Sequence, residues 1–79
     1  MPEFYLLTRT PCPLCQQALV MIHQCELEEP ISLHMVDIDE QADLQQEYGW
    51  LIPVLIRQSD DAELKWPFNQ SALLEFLQA

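Results

Sequence analysis

The sequence predicts an α/β fold: a four-stranded mixed sheet flanked by helices, in the order β-α-β-α-β-β-α. Three observations carry this expectation. Short apolar runs at residues 3–8 and 31–37 bracket a stretch whose apolar residues recur at helical spacing. Two more strand-like runs, 53–57 and 62–66, are separated only by Gln58-Ser-Asp-Asp61, which suits a hairpin. The remaining stretches, 40–48 and beyond Asn69, have helical character and residues that cap or end a helix.

Each element has a local reason. Glu3-Phe-Tyr-Leu-Leu-Thr8 is apolar almost throughout, the pattern of a strand buried on both faces. Thr10-Pro11 breaks it. From Cys12 to about Glu26, Leu14, Ala18, Met21, Ile22 and Cys25 follow three- and four-residue spacing, with Leu19 beside them. Pro13 suits the first turn of that helix, where its missing N–H is not needed. Glu28-Glu29-Pro30 ends the unit. Ile31 to Asp37 is the second strand, expected parallel to the first in a right-handed βαβ unit. Asp39 is a candidate cap for a helix over 40–48, and Gly49 a candidate terminator. The third strand is expected over 53–57 and the fourth, antiparallel to it, over 62–66. Asn69 is expected to cap a last helix that turns Leu73, Leu74, Phe76 and Leu77 inward.

Seventy-nine residues make one domain, with 49% apolar and 20% charged residues, as in a folded globular chain. No apolar stretch reaches the roughly 18 residues of a membrane span, and Met1-Pro2-Glu3 carries no basic leader. The expected location is therefore the cytoplasm, where thiols stay reduced and a CxxC pair is catalytic or metal-binding more often than structural. Thirteen acidic and three basic residues give a net charge of −10. That excludes nucleic acid as a partner and disfavours anionic membranes. It serves solubility, or it steers the chain toward a basic protein. A monomer is expected.

The chemistry-bearing stretch is "TRTPCPLCQQALVMIHQC", residues 8–25. Cys12 stands where a helix begins. There a thiolate faces unpaired backbone N–H groups and the positive end of the helix dipole, and both lower its pKa. Cys15, three residues on, shares that side of the first turn but lies deeper. Cys12 is thus the expected nucleophile and Cys15 the thiol that resolves a mixed disulfide. A structural zinc site would need four ligands. The chain offers no second CxxC, and Cys25 is about 15 Å along the helix from Cys15. His23 is read as a surface residue, His34 as a polar-face strand residue, and Cys25 as a small core hydrophobe. No metal or bound cofactor is expected.

The order strand, "CPLC", helix, strand, helix, "IPVL", hairpin, helix resembles the thioredoxin fold in its short glutaredoxin form, over essentially the whole chain. "CxLC" with "YGWLIPVL" and "WPF" is similar to a family of small bacterial glutaredoxin-like proteins. The resemblance implies a thiol–disulfide oxidoreductase. It would act on protein or low-molecular-weight disulfides and take electrons from a separate reductase. It further implies a cis peptide bond at Ile52-Pro53 that turns the Ile52 backbone toward a substrate peptide. The alternative for Pro53 is the start of an edge strand. Arg9 is the one cation near Cys12 and a candidate for stabilising its thiolate, with Thr10 and Pro11 shaping the approach.

Glutaredoxins carry a Gly-Gly turn before the last helix, followed by a polar cap. Here Trp66-Pro67-Phe68 and Asn69 stand in that place, so glutathione binding is expected to be weak. The topology puts Trp66, and with it Trp50, near the cysteines. Trp66 reads equally as docking surface and as core; Phe68 reads as core. The competing function is a thioredoxin-like binding or redox-sensing module that does not turn over.

Overall fold

A computed structural model describes residues 1–79. The elements are β1 (Glu3–Thr8), α1 (Pro13–His23), β2 (Ser32–Asp37), a 3-10 turn (Ile38–Glu40), α2 (Ala42–Tyr48), β3 (Val54–Arg57), β4 (Ala62–Lys65) and α3 (Gln70–Gln78). The sheet order is β2-β1-β3-β4. β2 runs parallel to β1, with Leu6 beside Met35. β3 runs antiparallel to β1, with Leu7 beside Val54, and β4 antiparallel to β3. The fold is α/β and thioredoxin-like, with a mixed four-stranded sheet. No helix is long and apolar enough to cross a membrane.

β1 and β3 are the inner strands, and both are buried on both faces. Phe4 and Leu6 join Ile22 of α1, Leu55 of β3, and Leu73 and Leu77 of α3 in one core cluster. Leu7 joins Ile38, Tyr48 and Val54 in a second. Period-two alternation sends Phe4 and Leu6 to the same face, and Leu7 to the other. Truncating a wholly buried residue such as Leu6 or Leu55 leaves a cavity, a change that costs about 2–5 kcal/mol.

Several boundaries differ from expectation, each for a local reason. α1 is shorter than residues 12–26. Gln24 caps it, its N–H donating to the Val20 carbonyl while the Cys25 N–H donates to the Ile22 carbonyl, and Cys25 lies beyond the helix rather than on its apolar face. The buried stripe of α1 is Cys15, Ala18 and Ile22, so Leu14 is turned outward and exposed. Asp39 does not cap α2. The Asp37 carboxylate accepts the Asp39 N–H at 2.9 Å and winds a 3-10 turn that drops Ile38 into the second core. α2 therefore begins later, at Ala42, with Gln41 before it and no side-chain cap. Gly49 follows α2 with φ −52°, a helical value, so it is not a left-handed terminator. A Cβ there would stand 2.5 Å from the Gln45 carbonyl oxygen, and close approach is what requires glycine.

The hairpin turn rests on Asp60. Its carboxylate accepts the Ala62 N–H at 3.1 Å and pairs with Arg57, while Asp61 takes the left-handed φ of 57° that aspartate tolerates. Asn69 caps α3, its side-chain oxygen accepting from the Ala72 N–H at 2.7 Å.

Candidate active site

The β1–α1 junction carries the cysteines. Cys12 is the N-cap of α1, in extended conformation, and Pro13 occupies the first turn. The Cys12 Sγ accepts the Cys15 N–H at 3.1 Å, the place a serine or aspartate oxygen takes in an ordinary cap. Cys12 and Cys15 are joined as a disulfide, with 5.2 Å between their Cα atoms. Cys12 is half-buried, whereas Cys15 is only 4% exposed, packed on the buried stripe of α1. One sulfur thus faces outward at the positive end of an eleven-residue helix, and the other backs it from within.

Arg9, Thr10 and Pro11 line one cleft with both cysteines. Its volume is about 220 Å³, and Thr8, Gln16, Leu19 and Met35 complete it. Arg9 is not a free cation beside the sulfur. Its guanidinium grips Asp39, with Nη2 2.6 Å from Oδ1, and Gln45 donates to the same oxygen at 2.8 Å. The hydrogen bond to Arg9, reinforced by Gln45, holds the Asp39 carboxyl below the usual carboxylate range, and Asp39 in turn raises Arg9. A charge shared with a carboxylate stabilises a neighbouring thiolate less than a bare one does.

Ile52, Pro53 and Trp66 form a second group at this end of the sheet. Since Leu7 pairs with Val54, Pro53 stands opposite Thr8, from which the chain runs on to Cys12. The Ile52–Pro53 peptide bond is cis, as are Thr10–Pro11 and Trp66–Pro67. Pro53 is buried, and its carbonyl accepts the Trp66 N–H at 3.2 Å. The Ile52 backbone corrects one expectation. Its N–H donates to the Tyr48 carbonyl at 3.2 Å, so only its carbonyl is without a backbone partner. A substrate strand would find an acceptor at Ile52 and no donor. Trp66 is half-buried and packs edge-on against Phe68, with ring centres 5.1 Å apart.

The other reactive side chains lie elsewhere. Cys25 is a half-buried free thiol. Its Sγ donates to the Met21 carbonyl and accepts from the Gln70 amide, and burial pushes its pKa up. His23 is exposed, and His34 is exposed against Glu3 at 3.0 Å and the Tyr5 ring. No three Cys, His, Asp or Glu side chains are grouped to hold a metal. A larger cavity, about 590 Å³, lies at the opposite end of β1 around Met1, Phe4 and Arg57. Each nitrogen of that arginine already donates within the chain, to Asp60 and to the Phe76 carbonyl.

Sequence reasoning did not find Gln16, Met35 or the Arg9–Asp39 pair. Gln16 was within reach, because it follows Cys12 by four residues and so shares its face of α1. Asp39 had no such signal, since thirty residues separate it from Arg9.

Residues 3–78 match the model of the glutaredoxin-like domain (DUF836). Among solved structures, the chain is similar to the structural genomics target protein XcR50 from X. campestris. The X-ray structure of that protein aligns with a TM-score of 0.80 and 34% identity, covering 94% of this chain and 93% of the other. Its solution structure gives 0.79 and 34%, covering 98% and 92%. No curated protein matches.

Proposed function

The chain belongs to the glutaredoxin-like domain family, and from that membership and the geometry of its cysteine pair we propose that it is a thiol–disulfide oxidoreductase. The observation that carries this reading is Cys12 Sγ at the start of α1, accepting the Cys15 N–H while within bonding reach of the Cys15 sulfur. In the reduced protein the same N–H and the helix dipole favour the Cys12 thiolate. That thiolate attacks one sulfur of a substrate disulfide; the substrate S–S bond breaks, and its second sulfur leaves as a thiolate that takes up a proton. Cys15 loses its proton and attacks the Cys12 sulfur, which expels the first substrate sulfur. The substrate gains two electrons as two thiols, and the chain closes the Cys12–Cys15 disulfide. An external dithiol restores the pair, and no bound cofactor takes part.

Glutathione fits this site poorly. Trp66 and Phe68 fill the segment before α3 with packed rings, and all three basic side chains already face carboxylates of the chain itself. The preferred substrate is accordingly a protein or peptide disulfide.

The test is turnover of a protein disulfide with dithiothreitol as electron donor. Wild type should turn over, Cys12→Ser should abolish turnover, and Cys15→Ser should accumulate a Cys12 mixed disulfide visible by mass spectrometry. A chain that closes its own disulfide but never turns over would overturn the enzyme reading in favour of a redox-sensing module. Faster reduction of a glutathione mixed disulfide than of the protein disulfide would overturn the substrate preference.

A further inference from the structure

The turn after α2 holds a tryptophan in water. Trp50 is 98% exposed and its neighbour Leu51 is 40% exposed. The turn is not slack. The Leu51 and Ile52 N–H groups both close on the Tyr48 carbonyl, at 2.8 and 3.2 Å, so Trp50 stands at a tied apex. A rigid aromatic ring presented this way loses little entropy on binding a partner. Three residues on is Pro53, which stands opposite Thr8 at the end of the sheet where the chain turns to Cys12.

The helix leading to that ring is acidic, with Asp43 and Glu47 on it. Glu47 precedes Trp50 on α2, and the Tyr48 hydroxyl between them donates to Glu63 of β4. Glu63 and Glu47 both bear on that hydroxyl, two residues before Trp50. One cation answers them, Lys65 beside Glu63, and the other two basic side chains are held elsewhere. Arg9 is held by Asp39, Arg57 by Asp60, and Lys65 lies 3.8 Å from Glu63 itself, in a chain of thirteen acidic and three basic residues. An exposed indole on an acidic stretch of chain attracts a guanidinium or ammonium group, through the ring quadrupole and through charge together.

Resting on the redox reading above, we propose that Trp50, with Glu47 and Glu63, docks the disulfide-bearing partner through an arginine or lysine placed close to the partner's disulfide. The partner is then a basic protein or peptide segment, and Trp50 is a specificity determinant outside the cysteine cleft.

The experiment uses the full chain, reduced and freed of excess reductant, in single-turnover reduction of three disulfides. Two are peptides with the same internal disulfide, one flanked by arginines and the other by glutamates. The third is neutral bis(2-hydroxyethyl) disulfide. The arginine peptide should react about tenfold faster than the glutamate peptide at low salt, and the ratio should shrink as salt is added. Trp50→Ala and Glu47→Gln should each lower that ratio about threefold or more. Glu29→Gln, which removes the same charge beside the cavity at the opposite end of β1, should leave it unchanged. A ratio near one in the wild type overturns the docking site. So does a ratio that Trp50→Ala does not move, or one that Glu29→Gln lowers as much as Glu47→Gln. In each of those cases reduction of the neutral disulfide leaves the redox reading standing. If none of the three disulfides is reduced, both proposals fall.

Discussion

Replacing Tyr48 by phenylalanine isolates the contact that ties α2 to β4 on either side of the Pro53 segment. The ring of Tyr48 is 8% exposed and packs with Leu7, Ile38 and Val54, and phenylalanine keeps that packing. What is lost is one hydrogen bond, from the Tyr48 hydroxyl to the Glu63 carboxylate. A hydrogen bond to a charged acceptor contributes about 1.5–3 kcal/mol, and the half-wet surroundings of Glu63 argue for the lower end. In a domain of this size about 1.5 kcal/mol corresponds to roughly 6–12 °C in Tm. The pH dependence follows from the same bond. Hydrogen bonding to Glu63, with burial, pushes the Tyr48 pKa from 10.0 up to about 12. Between those values the folded chain keeps a proton that the unfolded chain has released, so stability falls as pH rises. The tyrosine's advantage is therefore complete below pH 10 and gone near pH 12, while the phenylalanine variant lacks this loss. Urea unfolding of both proteins from pH 8 to 12 reads the difference. Equal stability at pH 8, or a gap that stays constant to pH 12, would refute the reasoning.

Asp39→Asn removes the carboxylate from Arg9 and leaves a bare guanidinium in the cleft that holds Cys12. The reduced variant should form the Cys12 thiolate at lower pH than wild type, read from thiolate ultraviolet absorbance in a Cys25→Ser background; an unchanged or higher midpoint would show that Arg9 does not reach the sulfur. Because Arg9 depresses the Asp39 carboxyl, its stabilisation is present above the ordinary carboxylate range and fades as pH falls through the folded value. The stability-against-pH curves of the wild type and of the Asp39→Asn variant should therefore converge in acid. Gly49→Ala forces a methyl group to 2.5 Å from the Gln45 carbonyl oxygen unless the end of α2 shifts. It should destabilise the chain by about 1–3 kcal/mol in urea unfolding, although alanine is ordinarily the better helix former; a neutral or stabilising effect would mean that the turn relaxes at no cost.

What could be read from the sequence and what could not divide along chain distance. The strand at 3–8, the helix after Cys12, the hairpin and the Asn69 cap are each set by neighbours within one turn or one pleat, and period and capping chemistry reveal them. The cysteine pair belongs to this class, since its spacing alone places one sulfur at the helix start and the other a turn deeper. The electrostatic setting of that pair does not. Asp39 had an adequate local role as a helix cap, and only the docking of Arg9 from thirty residues away claims its carboxylate instead. Ile52 is similar: the Tyr48 carbonyl, four residues back, takes the N–H that a substrate strand would need. In both cases a group expected to face the substrate is already bound within the chain. Arg9 is neutralised and Ile52 keeps only its carbonyl. The docking proposal assigns recognition to what remains unbound at this end of the molecule, the indole of Trp50. A site whose own cation and backbone donor are occupied gains little specificity from the cysteine cleft alone. On the docking proposal, its choice of substrate comes from the surface beside it, which carries the exposed indole of Trp50.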